Sequence, residues 1–81
     1  MNIESSNRVL TDMREGETGI IASIAGGKKA TKRLADLGLM AGTEIKVIRK
    51  ALFSGPLQIE ACSSKLVIGR GLASKIAIAL K

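Results

Sequence analysis

Few residues of this chain are equipped for covalent or acid–base chemistry. It has no histidine, one cysteine (Cys62) and seven carboxylates in 81 residues. Without imidazole, the commonest general base and the commonest transition-metal ligand are missing. Cys62 has no imidazole to activate its thiol, and Ser63 and Ser64 lack a base, so nucleophilic catalysis is not expected. The carboxylates Glu4, Asp12, Glu15, Glu17, Asp36, Glu44 and Glu60 are not spaced as a calcium loop or a helical carboxylate motif. Asp12, Glu15 and Glu17 could make at most a weak carboxylate site, and their ordinary role is a solvated turn. The expectation is a non-enzymatic protein with no tight metal site and no cofactor.

Two glycine patterns invite a nucleotide reading and fail it. Ala22-Ser23-Ile24-Ala25-Gly26-Gly27-Lys28-Lys29 follows a strand and opens a helix, as a phosphate loop does. Its first position is Ala22, however, and Lys29 stands where a magnesium-binding hydroxyl belongs. Gly69-Arg70-Gly71-Leu72-Ala73-Ser74 has half of a dinucleotide fingerprint, but the residues after Ser74 are too few for a crossover unit.

What remains is surface chemistry. The net charge is +6, which favours acidic partners, nucleic acid or an anionic membrane face. Lys28, Lys29, Lys32 and Arg33 give a helix a basic flank, and Lys46, Arg49 and Lys50 extend it along a strand. Single-strand nucleic-acid binders also need stacking platforms, and Phe53 is the only aromatic residue. Grooves for proline-rich peptides need aromatics as well. Leu52 and Phe53 form a second candidate surface. They lie in a loop closed by Ser54, Gly55 and Pro56, where large apolar side chains need a destination. They either fold back over the end of a barrel or project as a partner-binding knob. Leu52, Phe53, Lys29, Lys32 and Arg33 are the candidate partner-binding residues.

The elements that position these groups follow from periodicity. Residues 1–7 are polar and expected to be a frayed, flexible N-terminus, ahead of one domain over residues 8–81. Strands are expected at about 18–24, 43–50, 57–62, 65–69 and 75–80, from their alternation of apolar and other residues. Ser63-Ser64 is expected as a hairpin turn, with Cys62 on the preceding strand. One helical turn fits Gly71–Ser74. A helix is expected over 28–37, with Leu34 and Leu37 sharing a face. Gly38 stands where a helix end needs positive φ, and Gly42 can do the same for the turn that follows. Five short strands with tight turns point to a small closed barrel with one helix flanking or plugging an opening. No internal repeat is expected: Gly16-Glu17-Thr18 and Gly42-Thr43-Glu44 both lead into strands, an echo that chance explains. The single cysteine excludes an internal disulfide, and no basic region with an apolar run opens the chain. Both fit a cytoplasmic protein, and no apolar run approaches the length of a bilayer span.

The run Lys32-Arg33-Leu34-Ala35-Asp36-Leu37-Gly38-Leu39-Met40-Ala41-Gly42-Thr43 resembles the signature of the ferrous-iron transport protein A (FeoA) family. That signature is a basic pair, a leucine, two variable residues, Leu-Gly, an apolar pair and a turn ending in Gly-Thr. The resemblance extends over about residues 8–80, through Leu10, Gly16, Gly19-Ile20-Ile21 and Gly26-Gly27 to Arg49, Ala51, Pro56, Leu57-Gln58-Ile59, Ala73 and Ile76. It departs after the second strand, where the family often has Ala-Pro and this chain has Ala51-Leu52. The resemblance implies a Src-homology-3-like (SH3-like) β-barrel with an inserted helix. It also implies a small cytoplasmic protein that accompanies FeoB, a membrane ferrous-iron transporter with a cytosolic GTPase domain. The same domain occurs at the C-terminus of iron-dependent repressors, but this chain has no DNA-reading helix pair, so no DNA partner is expected. Contact with a membrane is expected only through the transporter. The leading expectation is an adaptor that docks on the transporter's cytosolic region. The runner-up is a small basic barrel that binds RNA, and a third reading is direct sensing of ferrous iron.

Overall fold

The alternating segments become one antiparallel sheet in the computed structural model, which describes residues 7–53 and 55–80. The strands are β1 (Asn7–Val9), β2 (Thr18–Ile24), β3 (Glu44–Lys50), β4 (Leu57–Ala61), β5 (Ser64–Ile68) and β6 (Ile76–Leu80). Helix α1 covers Gly27–Asp36, and the single turn α2 covers Arg70–Ala73. The spatial order is β1-β6-β2-β3-β4-β5. Among the described residues there are thus six strands rather than five. The added one, β1, is three residues long, too short to display a period. Of the expected frayed segment, Asn7 pairs with Ala79, and residues 1–6 lie outside the described residues.

The inward rows of β2 to β6 supply a single core. Ile21, Ile45, Val47, Leu57, Ile59, Ala61, Ile68, Ile76 and Ile78 are buried together with Leu10, Met13, Leu34, Leu39 and Ala73. One sheet encloses its own core only if it coils, and this one has the SH3-like barrel architecture. Bulges in β2, between Ile21 and Ser23, and in β3, between Val47 and Arg49, interrupt the registers. Such insertions bend a strand and raise its twist. Close approach of β6 also fixes Gly19, because a Cβ there would run into Ile78 Cγ2 and the Ala79 carbonyl.

The echo of Gly16 and Gly42, which reads as chance in the sequence, is instead a structural repeat. Residues 14–17 and 40–43 each form a turn closed by a backbone bond, Glu17 N–H to Arg14 O at 3.1 Å and Thr43 N–H to Met40 O at 3.0 Å. Gly16 and Gly42, third in each turn, hold φ of +91° and +93°, as a type II turn requires. In each the fourth side chain accepts from the first N–H: Glu17 Oε1 from Arg14 at 2.7 Å and Thr43 Oγ1 from Met40 at 3.3 Å. A strand follows each turn, and each strand bulges at the equivalent place, Ala22 or Ile48. The two units pair with each other antiparallel.

Helix α1 buries Ala30 and Leu34, four residues apart on one face. Its end differs from the expectation. Leu37 is the C-cap and 45% exposed, so it does not share the core with Leu34. Leu39 takes that role. Its N–H donates to Leu34 O at 2.9 Å, while Gly38 N–H donates to Ala35 O at 2.8 Å. With Gly38 at φ +88°, these two bonds define a Schellman ending, with Leu34 and Leu39 making its apolar contact.

The β4–β5 turn is also displaced by one residue. Ala61 pairs with Ser64, so Cys62 and Ser63 are the turn residues, with φ of +53° and +64°. Cys62 is therefore exposed in a turn rather than placed on a strand.

Candidate partner-binding surface

The loop between β3 and β4 is built to hold its tip outward. Its base is closed by Ala51 N–H donating to Pro56 O at 3.0 Å, and its tip by Gly55 N–H donating to Leu52 O at 3.2 Å. A Cβ on Gly55 would crowd Ala51 Cβ at 2.7 Å, so only glycine permits this closure. Phe53 adopts φ +57°. Leu52 is 79% and Phe53 97% exposed, so Phe53 does not fold back as a lid over the barrel. Below the loop, Lys50 N–H donates to Glu15 Oε2 at 2.9 Å, and Lys50 Nζ donates to Thr11 O at 2.8 Å. Lys50 is thus an internal clamp, which its place in a basic run did not reveal. Arg49 remains exposed beside it.

The basic flank of α1 is exposed at Lys28, Lys29, Lys32 and Arg33. The structure does not bring it up against the loop along β3. Helix α1 leads through the 40–43 turn to the start of β3, and the loop leaves its end. A seven-residue strand at about 3.3 Å per residue separates those ends by roughly 20 Å. Gly38 and Gly42 serve the turns between the two surfaces and contribute no contact groups.

The carboxylates of the weak-site expectation are engaged locally. Glu15 and Glu17 accept the bonds described above, and Asp12 Oδ2 accepts from Val9 N–H at 3.5 Å. Among the described residues, no group of three histidine, cysteine, aspartate or glutamate side chains is arranged to hold a metal. A shallow cleft of about 280 Å³ is lined by Thr18, Glu44, Lys46, Glu60, Ala61, Cys62 and Ser63. Sequence reasoning also missed exposed apolar side chains at Met40 and Val67, 53% and 68% exposed. Val67 follows the half-buried Leu66, so only the alternation of β5 hints at it.

A family model, the FeoA domain, matches residues 8–80. The chain belongs to the FeoA family. It is 42% identical over 65 residues to a Methanocaldococcus jannaschii protein provisionally named Fe(2+) transport protein A, covering 80% of this chain and 77% of that one. Its fold is similar to a crystal structure of an iron uptake regulatory protein (FeoA), with a TM-score of 0.83, 32% identity, and coverage of 93% and 97% of the two chains. A manganese-dependent transcriptional repressor shares the fold at a TM-score of 0.84 and 22% identity, over 93% of this chain and 42% of the repressor. Among the described residues of this FeoA-family chain, no helix is long and apolar enough to cross a membrane.

Proposed function

We propose that this FeoA-family chain is a non-enzymatic, cytoplasmic accessory of ferrous-iron uptake. It docks on the cytosolic region of a FeoB-type transporter and modulates it. The observation that carries the reading is the Leu52-Phe53 tip, with Phe53 97% exposed on a closed loop. A large apolar side chain held in water is costly unless a partner covers it.

The helix charges support a second, weaker contact. Lys28 with Lys32, and Lys29 with Arg33, are like charges four residues apart, each pair opposing the helix by about 0.2–0.5 kcal/mol. Lys28 and Lys29 also sit in the first turn, which contains no acidic residue, against the favourable sign of the helix dipole. Charge kept at such positions suits long-range steering toward an acidic surface. The iron-transport name of the Methanocaldococcus relative and the chain's membership of the FeoA family support a role in iron uptake.

Calorimetric titration of the chain into the purified cytosolic region of the transporter tests the proposal, with single-stranded RNA titrated in parallel. Saturable binding to the cytosolic region, persisting in high salt, is the expected result. Binding to RNA alone, with a steep salt slope from phosphate contacts, would replace it with the RNA reading.

A further inference from the structure

Among the described residues, strand β5 ends the sheet, with β4 on one side and no strand on the other. The hairpin that joins them fixes which of its backbone groups are free. Cys62 and Ser63, both at positive φ, make a two-residue type I′ turn. The flanking pair Ala61 and Ser64 is then hydrogen-bonded, and bonded and non-bonded pairs alternate from there. Leu66 and Ile68 bond to β4, opposite Ile59 and Leu57. Lys65 and Val67 aim their N–H and C=O groups away from it. Among the described residues, no other backbone group bonds to these two.

Edge strands are commonly blunted by a bulge, a proline or a cover. Among the described residues β5 has no bulge and no proline, and the charge of Lys65 is its one blunting feature. Its register with β4 is continuous from Leu57↔Ile68 to Ala61↔Ser64. The opposite edge, β1, is only three residues long. Along β5, Lys65 and Val67 are exposed, on the same face and two residues apart.

We propose that the β5 edge is a strand-addition site for an extended, carboxylate-bearing segment of another protein. The segment pairs its backbone with Lys65 and Val67. It sets an acidic side chain opposite Lys65 and an apolar one opposite Val67. The charge of this face selects that occupant. The rows running inward from the edge are Lys65, Glu60 and Lys46, and Val67, Gln58 and Arg49, and with Glu44 beside Lys46 on the same face they set three cations against two carboxylates. The same charge disfavours a second copy, since β5-to-β5 pairing would join two molecules of net charge +6. This site is separate from the Leu52-Phe53 loop and does not depend on the transporter reading.

The test is amide hydrogen exchange, read by NMR on the full chain. The probe is an acetylated, amidated hexapeptide of alternating glutamate and valine, taken to millimolar concentration. The Lys65 and Val67 amides are expected to slow at least tenfold, with Leu66 and Ile68, already bonded to β4, unchanged. Val67→Pro removes an outward donor and leaves the β4 ladder intact. It is expected to weaken peptide binding at least fivefold. Lys65→Glu is expected to do the same, and to bind a lysine–valine peptide instead, which keeps the test decisive should the proline variant not fold. No slowing at Lys65 and Val67, or unchanged affinity in folded variants, would overturn the proposal. So would protection of the same two amides by concentration-dependent dimerisation without peptide.

Discussion

Replacing Gly38 probes the step on which the helix-to-strand passage depends. Gly38 sits at φ +88°, and a Cβ built there meets nothing within 4 Å. Any penalty is therefore backbone strain and not collision. Left-handed geometry costs a residue with a Cβ about 1–2 kcal/mol, and a β-branched side chain falls at the upper end. For a domain of this size, each kcal/mol corresponds to roughly 4–8 °C in melting temperature. Gly38→Val should thus lower the midpoint by at least about 4 °C. Gly38→Asn should lower it less, because asparagine tolerates this region. Gly71 provides the internal control. It lies inside α2, also with nothing within 4 Å and without positive φ, so Gly71→Ala should stabilise by about 0.4–1 kcal/mol through the unfolded chain. Thermal melts of the three variants give opposite signs at the two glycines. A Gly38→Val midpoint at or above the parent's would refute the strain argument.

Gly19→Ala places a methyl against Ile78 Cγ2 and the Ala79 carbonyl, and chemical denaturation should show a loss of about 1–3 kcal/mol from overpacking. The paired change Cys62→Asn with Ser63→Gly supplies the residues a type I′ turn favours, and should gain about 1 kcal/mol or more by relieving two strained non-glycine positions. Lys32→Glu should slow association with the transporter's cytosolic region at low ionic strength and lose that effect in high salt, measured by stopped-flow at two salt concentrations.

The barrel strands were legible because each is half-buried and alternates. Leu57, Ile59 and Ala61 all face the core as that alternation requires. The Gly38 stop was legible as well, because few residues other than glycine end a helix that way. Register was harder to read. Whether Leu37 or Leu39 enters the core depends on where the helix releases its last carbonyls, a matter of one residue. The bulges in β2 and β3 and the true turn at Cys62-Ser63 are likewise one-residue events that composition does not record. For the surface, the sequence located the Leu52-Phe53 loop but left its direction open, since a lid and a knob have the same residues. It also could not give the free edge of β5, which follows from which strands are neighbours, and alternation is silent about that.

In the proposed docking, Phe53 is a contact residue and not a structural one. The most direct measurement is the affinity of Phe53→Ala for the transporter's cytosolic region in high salt, beside its melting temperature. Burying a phenylalanine contributes roughly 1.5–3 kcal/mol, which corresponds to about a ten- to hundredfold loss of affinity. Because Phe53 is 97% exposed in the free chain, its melting temperature should stay at the parent's. A folded Phe53→Ala that binds as tightly as the parent would rule out that contact.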